Sequence, residues 1–244
     1  MHEPAQQEAS LSHTLVAIQS QIGLPAERFP HLIETHAPWL PVPLCPSLQA
    51  WMIDDPIPLW EALEAETGRE EEPPMFAFAW PAAQALALLL ATGAIDVRHK
   101  RVLDLGCGSG VAAAAAARAG AAEVILVDLA PMALLAASLL LDRHQITTPR
   151  RYWCGDAFDD GRIFADCDVV FAADLFYSRS HAERGPRCIR QLLGDGKEVY
   201  LTNAERPYFD ACGLQPLWEG QVAVPRALEG VCQRHIVMWG LAPA

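Results

Sequence analysis

Nine residues constrain this chain more than any others: Val102-Leu-Asp104-Leu-Gly106-Cys-Gly108-Ser-Gly110. A short apolar strand, Arg101 to Leu105, runs into three alternating glycines and then into a helix-forming alanine run that reaches Ala119. Such a strand–turn–helix lies at the carboxyl edge of a parallel sheet, where a crevice opens for a nucleotide-like ligand. Glycines let the turn tighten and let a ligand approach the backbone with no Cβ in the way.

The surroundings of the loop repeat the alternation. Pro81 suits a helix's first turn, with the helix continuing from Ala82 to Ala91. Strands are expected at Glu123–Asp128, Arg150–Gly155, Asp168–Ala173 and Glu198–Thr202, with helices at Pro131–His144 and His181–Leu193 between them. Leu214–Val224 and Val231–Trp239 read as a closing pair of strands. This order predicts an α/β fold, a mostly parallel sheet with helices on both faces.

Two details decide what the crevice holds. A dinucleotide fingerprint wants a third glycine at the sixth place of the motif, where this chain has Val111. Asp104, directly inside the turn, suits the cationic amino group of a methionine moiety and would repel a diphosphate. Asp128 ends the next strand, 24 positions beyond Asp104, near the spacing at which an acid accepts from both hydroxyls of a ribose. After the third strand, Asp156 can accept from an adenine amino group while the Ala157 N–H donates to a ring nitrogen. Gly106, Gly108, Gly110, Asp104, Asp128, Leu129, Asp156 and Ala157 therefore form the expected cofactor set. The cofactor expected is S-adenosyl-L-methionine, leaving as S-adenosyl-L-homocysteine, and the fold expected is the Rossmann-like seven-stranded sheet of class I methyltransferases.

Asp174-Leu-Phe176-Tyr177 follows the fourth strand, beside the expected methyl position. Methyl transfer is an in-line displacement that needs a neutral nitrogen lone pair aimed at the donor carbon. A lysine amine, with an unperturbed pKa near ~10.4, must lose its proton first. Asp174 is expected to dock the ammonium and to touch the cofactor, with Phe176 and Tyr177 supplying aromatic faces and partial desolvation. These three are the candidate catalytic residues.

Ahead of this domain, residues 1–74 read as an extension. It comprises a tail over residues 1–10, a helix from Leu11 to Ile22 capped by Ser10 or Ser12, and a proline-rich connector from Leu24 to Pro46. A strand near Leu48–Ile53, a helix over Leu59–Glu66 and an acidic linker, Gly68–Pro74, complete it. The methyltransferase domain then spans residues 75–244. Met75 to Ile95 carries no charge over 21 positions, but Pro81, Gln84 and the many alanines argue for a buried helix, not a membrane span.

Composition sets limits on partners and place. Eighteen Lys and Arg against thirty Asp and Glu give a net charge of −12, which disfavours a phosphate backbone as substrate. Seven cysteines without a Cys-x-x-Cys pair fit free thiols in a reducing compartment. Eight scattered histidines offer no ligand spacing, so no metal is expected. The first ten residues lack the pattern of a targeting segment. A cytoplasmic monomer with a protein substrate, binding neither nucleic acid nor membrane, is the expectation.

Three blocks together resemble a known family: Phe76-Ala-Phe78-Ala-Trp80-Pro81-Ala-Ala-Gln84, Leu103-Asp-Leu-Gly-Cys-Gly-Ser-Gly110, and Asp174-x-Phe176-Tyr177. They are similar to the lysine methyltransferases that modify the electron-transfer flavoprotein β subunit. Glu205-Arg-Pro-Tyr-Phe209 is similar to a Gly-Arg-Pro-x-Phe stretch of that family, with Glu205 replacing the glycine. The resemblance implies that Trp80 and Gln84 line the cofactor pocket and that lysines beside the flavoprotein's dehydrogenase-recognition loop are methylated. Methylation of another protein side chain or of a small amine is the alternative; a nicotinamide oxidoreductase and a non-catalytic binding module are disfavoured by Val111 and by the intact carboxylates.

Overall fold

The structure, a computed structural model, describes residues 14–25 and 27–241, with Tyr177 described in its backbone alone. The expected start of the first helix at Leu11, with its serine caps, lies outside these residues. Helix α1 spans Leu15–Ile22; the Thr14 hydroxyl accepts from Ala17 N–H at 3.2 Å, and Gly23, at φ 77°, ends it. The proline-rich stretch expected as a connector instead holds helix α2, Arg28–His36, and strand β1, Trp39–Val42. Pro30 stands in the first turn of α2, where its missing N–H costs no helical bond. Strand β2, Cys45–Trp51, pairs antiparallel with β1, and helix α3 covers Ile57–Thr67. The uncharged stretch from Met75 breaks into a single tight turn, Met75–Ala77, and helix α4, Pro81–Ala91. No helix among the described residues is long and apolar enough to cross a membrane.

The main sheet is built from β3 (Arg101–Leu105), β4 (Glu123–Asp128), β5 (Arg150–Cys154), β6 (Val169–Ala173), β7 (Glu198–Asn203), β8 (Gln215–Ala223) and β9 (Gln233–Gly240). Their order is β5-β4-β3-β6-β7-β9-β8, parallel from β5 to β7, with β9 antiparallel to both its neighbours. Helices α5 (Val111–Arg118), α6 (Pro131–Arg143) and α7 (Arg179–Gly194), and the short α8 (Arg226–Glu229), complete the fold. The chain builds outward from β3 in one direction and then, with β6, in the other. That reversal places a crevice at the carboxyl ends of β3 and β6.

Strand periodicity divides the core in two. Val102, Val124, Leu126, Val169 and Phe171 face a cluster formed with α4, α5 and α6. Leu103, Leu105, Ile125, Val127, Val170 and Ala172 face the other way, toward Ile189 and Leu192 of α7. The described part of residues 14–74 joins the first cluster through Ile18, Ile22, Phe29, Ile33, Leu48, Leu59 and Leu63, all buried. Each such side chain contributes about 1.5–3 kcal/mol of burial before ordering costs. The described part of this stretch is thus packed into the core. In α5 every residue from Val111 to Ala117 is buried, and only small side chains allow the helix to lie that close to sheet and neighbours.

Candidate active site

Asp104 lies near the end of β3 with its side chain on the α5 face, buried. Gly110, the residue capping α5, has no side chain to accept from the helix's free amides. The Asp104 Oδ2 takes that role from the strand, accepting from Ala113 N–H at 3.1 Å. Burial pushes its carboxyl up to about 7, against the Ala113 hydrogen bond, and the nearby charge of Asp128 adds to the rise. Asp128, half-buried at the end of β4, accepts from Gly108 N–H at 3.0 Å and Ala130 N–H at 2.9 Å. Its carboxyl is also raised by burial, opposed by those backbone donors. Among the described residues neither acid is paired with a cation.

The glycines give this arrangement its shape. All three take positive φ, at 71°, 49° and 80° for Gly106, Gly108 and Gly110. A Cβ on Gly110 would come within 2.6 Å of the Ala137 Cβ, so α6 can pack there only on a glycine. Gly106 is exposed, and a Cβ built on it would lie 3.9 Å from Leu175 Cδ1. The glycine loop and the turn after β6 therefore border one crevice.

That second turn begins at Asp174, whose backbone is left-handed, at φ 55° and ψ 36°. Its carboxylate is already engaged. Arg206 Nε donates to Asp174 Oδ1 at 3.0 Å and to Oδ2 at 2.9 Å, with Nη2 on Oδ2 as well. Arg206 is held in turn by Glu229 of α8, at 3.0 Å through Nη2 and 3.3 Å through Nη1. Arg234 of β9 donates to Glu229 Oε2 at 2.8 Å. Burial alone would lower the pKa of Arg206, but the bonds and charges of Asp174 and Glu229 reverse this and raise it. Sequence reasoning found Asp174 and missed its partners; the signal was the arginine of the Glu205–Phe209 stretch.

The other expected residues are distributed unevenly. Leu129 is exposed beside Asp128, and Ala157 is buried after β5. Asp156 accepts from Phe158 N–H at 2.8 Å, and its other oxygen pairs with Arg184 of α7 at 2.6 Å. Trp80 is half-buried, its indole N–H donating to Met75 O at 2.8 Å. Two of the expected residues are buried and held by packing contacts. Gln84, expected to line the pocket, is fully buried, with Nε2 donating to Ala79 O at 2.6 Å and Oε1 accepting from Leu44 N–H at 3.4 Å. A buried amide satisfied at both ends ties the β1–β2 hairpin to α4. Phe176, expected to offer an aromatic face, turns into the core, its ring edge-on to Phe209 at 5.8 Å. Its ring edge would sit 2.6 Å from a Cβ on Gly185, so it packs directly on α7. The side chain of Tyr177 lies outside what the structure describes.

A family model described as a methyltransferase domain matches residues 102–196. The chain is 29% identical over 175 residues to the electron transfer flavoprotein beta subunit lysine methyltransferase of Xenopus laevis, covering 70% of each. It is 42% identical over 154 residues to the Homo sapiens protein of that name, covering 58% of this chain and 53% of the other. Against the human relative the chain thus spans about half its length. A solved Pyrococcus horikoshii protein assigned as an RNA methyltransferase superposes with a TM-score of 0.51 at 19% identity, over 70% of this chain and 89% of that one, a likeness that shows the fold alone. Fold, loop and family model define an S-adenosylmethionine-dependent methyltransferase of the seven-strand class. Within that class, the chain is similar to the electron transfer flavoprotein beta subunit lysine methyltransferases.

Proposed function

We propose that this chain transfers a methyl group from S-adenosylmethionine to lysine side chains of the electron-transfer flavoprotein β subunit. The observation that carries the reading is the shared crevice, in which two acids without a cation border the glycine loop and Asp174 begins the turn opposite. When bound, the cofactor supplies an electrophilic methyl on a sulfonium. Asp104 and Asp128 fit its cationic amino group and its ribose, since among the described residues both carboxylates are held by backbone N–H groups alone. Exposed Gly106 leaves room for its approach, and Leu129 is an open apolar face next to Asp128. Asp156 and Ala157 border the adenine end and Trp80 the entrance, and Asp174 orients the amine. The substrate assignment draws on the relatives' names and on the Trp-Pro-x-x-Gln and Asp-x-Phe-Tyr blocks.

Protein substrate and cytoplasmic location belong to the same reading, supported by the acidic surface and by seven cysteines, none of which is in a disulfide. Incubation with methyl-labelled cofactor and purified flavoprotein is the test. Label on β-subunit lysines is expected; an unlabelled subunit under conditions where the cofactor binds would reject the substrate.

A further inference from the structure

Asp174 meets an incoming lysine as half of an ion pair. Arg206 covers both its oxygens, at 3.0 and 2.9 Å from Nε. Glu229, whose side chain is 2% exposed, grips the far side of Arg206, and Arg234 closes the chain of charges. Two carboxylates and two guanidiniums sum to zero. Among the described residues, Glu205, His235 and Glu219 face one another beside these four, with His235 nitrogens 3.7 and 3.5 Å from the two glutamates, which are largely open to solvent, and Asp104 and Asp128 lie on the opposite bank.

We propose that Arg206, gripped by Glu229, is a positioning residue that keeps the acceptor side of the crevice electrically neutral, so that the target lysine sheds its ammonium proton there at moderate pH. A bare carboxylate within hydrogen-bond reach favours an ammonium and raises its pKa by about one to three units. It would bind lysine well, and in the form that cannot attack. Paired with Arg206, Asp174 still accepts a hydrogen bond from the amine without that penalty. The step then balances: the proton leaves to water, the neutral nitrogen lone pair forms the new N–C bond, and the S–C bond breaks with its pair retained on sulfur. The inference rests on the lysine-methylation reading above and adds the residue that sets the acceptor's protonation.

The test is the pH profile of kcat on purified flavoprotein with saturating cofactor. For Arg206→Gln the acid limb should move up by about one unit, cutting the rate at neutral pH about tenfold. KM should hold or fall, and the profile should rejoin the wild type at alkaline pH. Glu229→Gln leaves the site one unit more positive, so its limb should move down. Arg206→Lys should restore the wild-type limb. A merely structural role would give both glutamine variants the same pH-independent loss, and that result, or an unmoved limb in Arg206→Gln, overturns the inference. Should Arg206→Gln fail to fold by circular dichroism, the opposite shift in Glu229→Gln, with rescue by Arg206→Lys, decides. A wild-type chain that methylates no lysine of the subunit removes the underlying reading and this inference with it; an active wild type with unmoved limbs removes the inference alone.

Discussion

The two banks of the crevice treat their carboxylates in opposite ways. On the β3–β4 bank, Asp104 and Asp128 are held by backbone N–H groups, and among the described residues no cation meets them. On the β6–β7 bank, Asp174 is covered by Arg206, and that arginine is itself shared with a second acid. Burial leaves the first pair with raised pKa values. The difference teaches what each bank lacks: the first needs positive charge from its ligand, whereas the second has its own and is prepared for a neutral amine.

The strongest way to break this contrast is Asp174→Ala. We expect methyl transfer to fall on the order of a thousandfold, because the amine loses its orienting acceptor. Calorimetric affinity for S-adenosylhomocysteine should stay within about twofold; a matching loss of cofactor binding would show that the banks are not separate. Asp104→Asn should do the reverse, weakening the cofactor by roughly ten- to a hundredfold, the worth of a charged hydrogen bond. The smallest effect is in pH. A folded pKa of about 7 against 3.8 unfolded means that ligand-free stability from this group is full below pH 4 and is lost as pH rises through 7. Binding of the cationic amino group has the opposite sign, since it needs the carboxylate ionised. Cofactor affinity should be about tenfold tighter at pH 8 than at pH 6, and thermal stabilisation by the cofactor should grow in step. A flat profile in wild type, or an unchanged slope in Asp104→Asn, would remove Asp104 from this role.

Much of this was legible in the sequence because strands and helices declare themselves locally. Strands β3 to β9 stand within two residues of their patterned positions, and the loop from Asp104 to Gly110 was readable as a crevice. The segment from Leu24 to Pro46 was not. Its prolines look like interruptions, yet Pro30 sits in a first helical turn and Pro41 in a strand of an isolated two-stranded pair, both places that tolerate a missing N–H. Arg206 and Glu229 stayed hidden for another reason. Arg206 stands 32 residues after Asp174 and Glu229 a further 23 residues on, and no local periodicity announces an ion pair assembled across a sheet. Gln84 was assigned to the pocket by likeness to a motif and Phe176 by its place after β6, although a buried amide and a buried ring serve packing equally well.

The six alanines of α5 have an implication for how this protein tolerates change. A helix that is smooth on every side leaves its surroundings no spare room, so an added methyl group anywhere from residue 112 to 117 would press on α4, β3, β4 or α6. The segment is chemically plain and yet acts as a shim of fixed thickness. It sets the gap between the hairpin-bearing wall and the glycine turn, so larger side chains are expected to be borne at the rim and not in the spacer behind it.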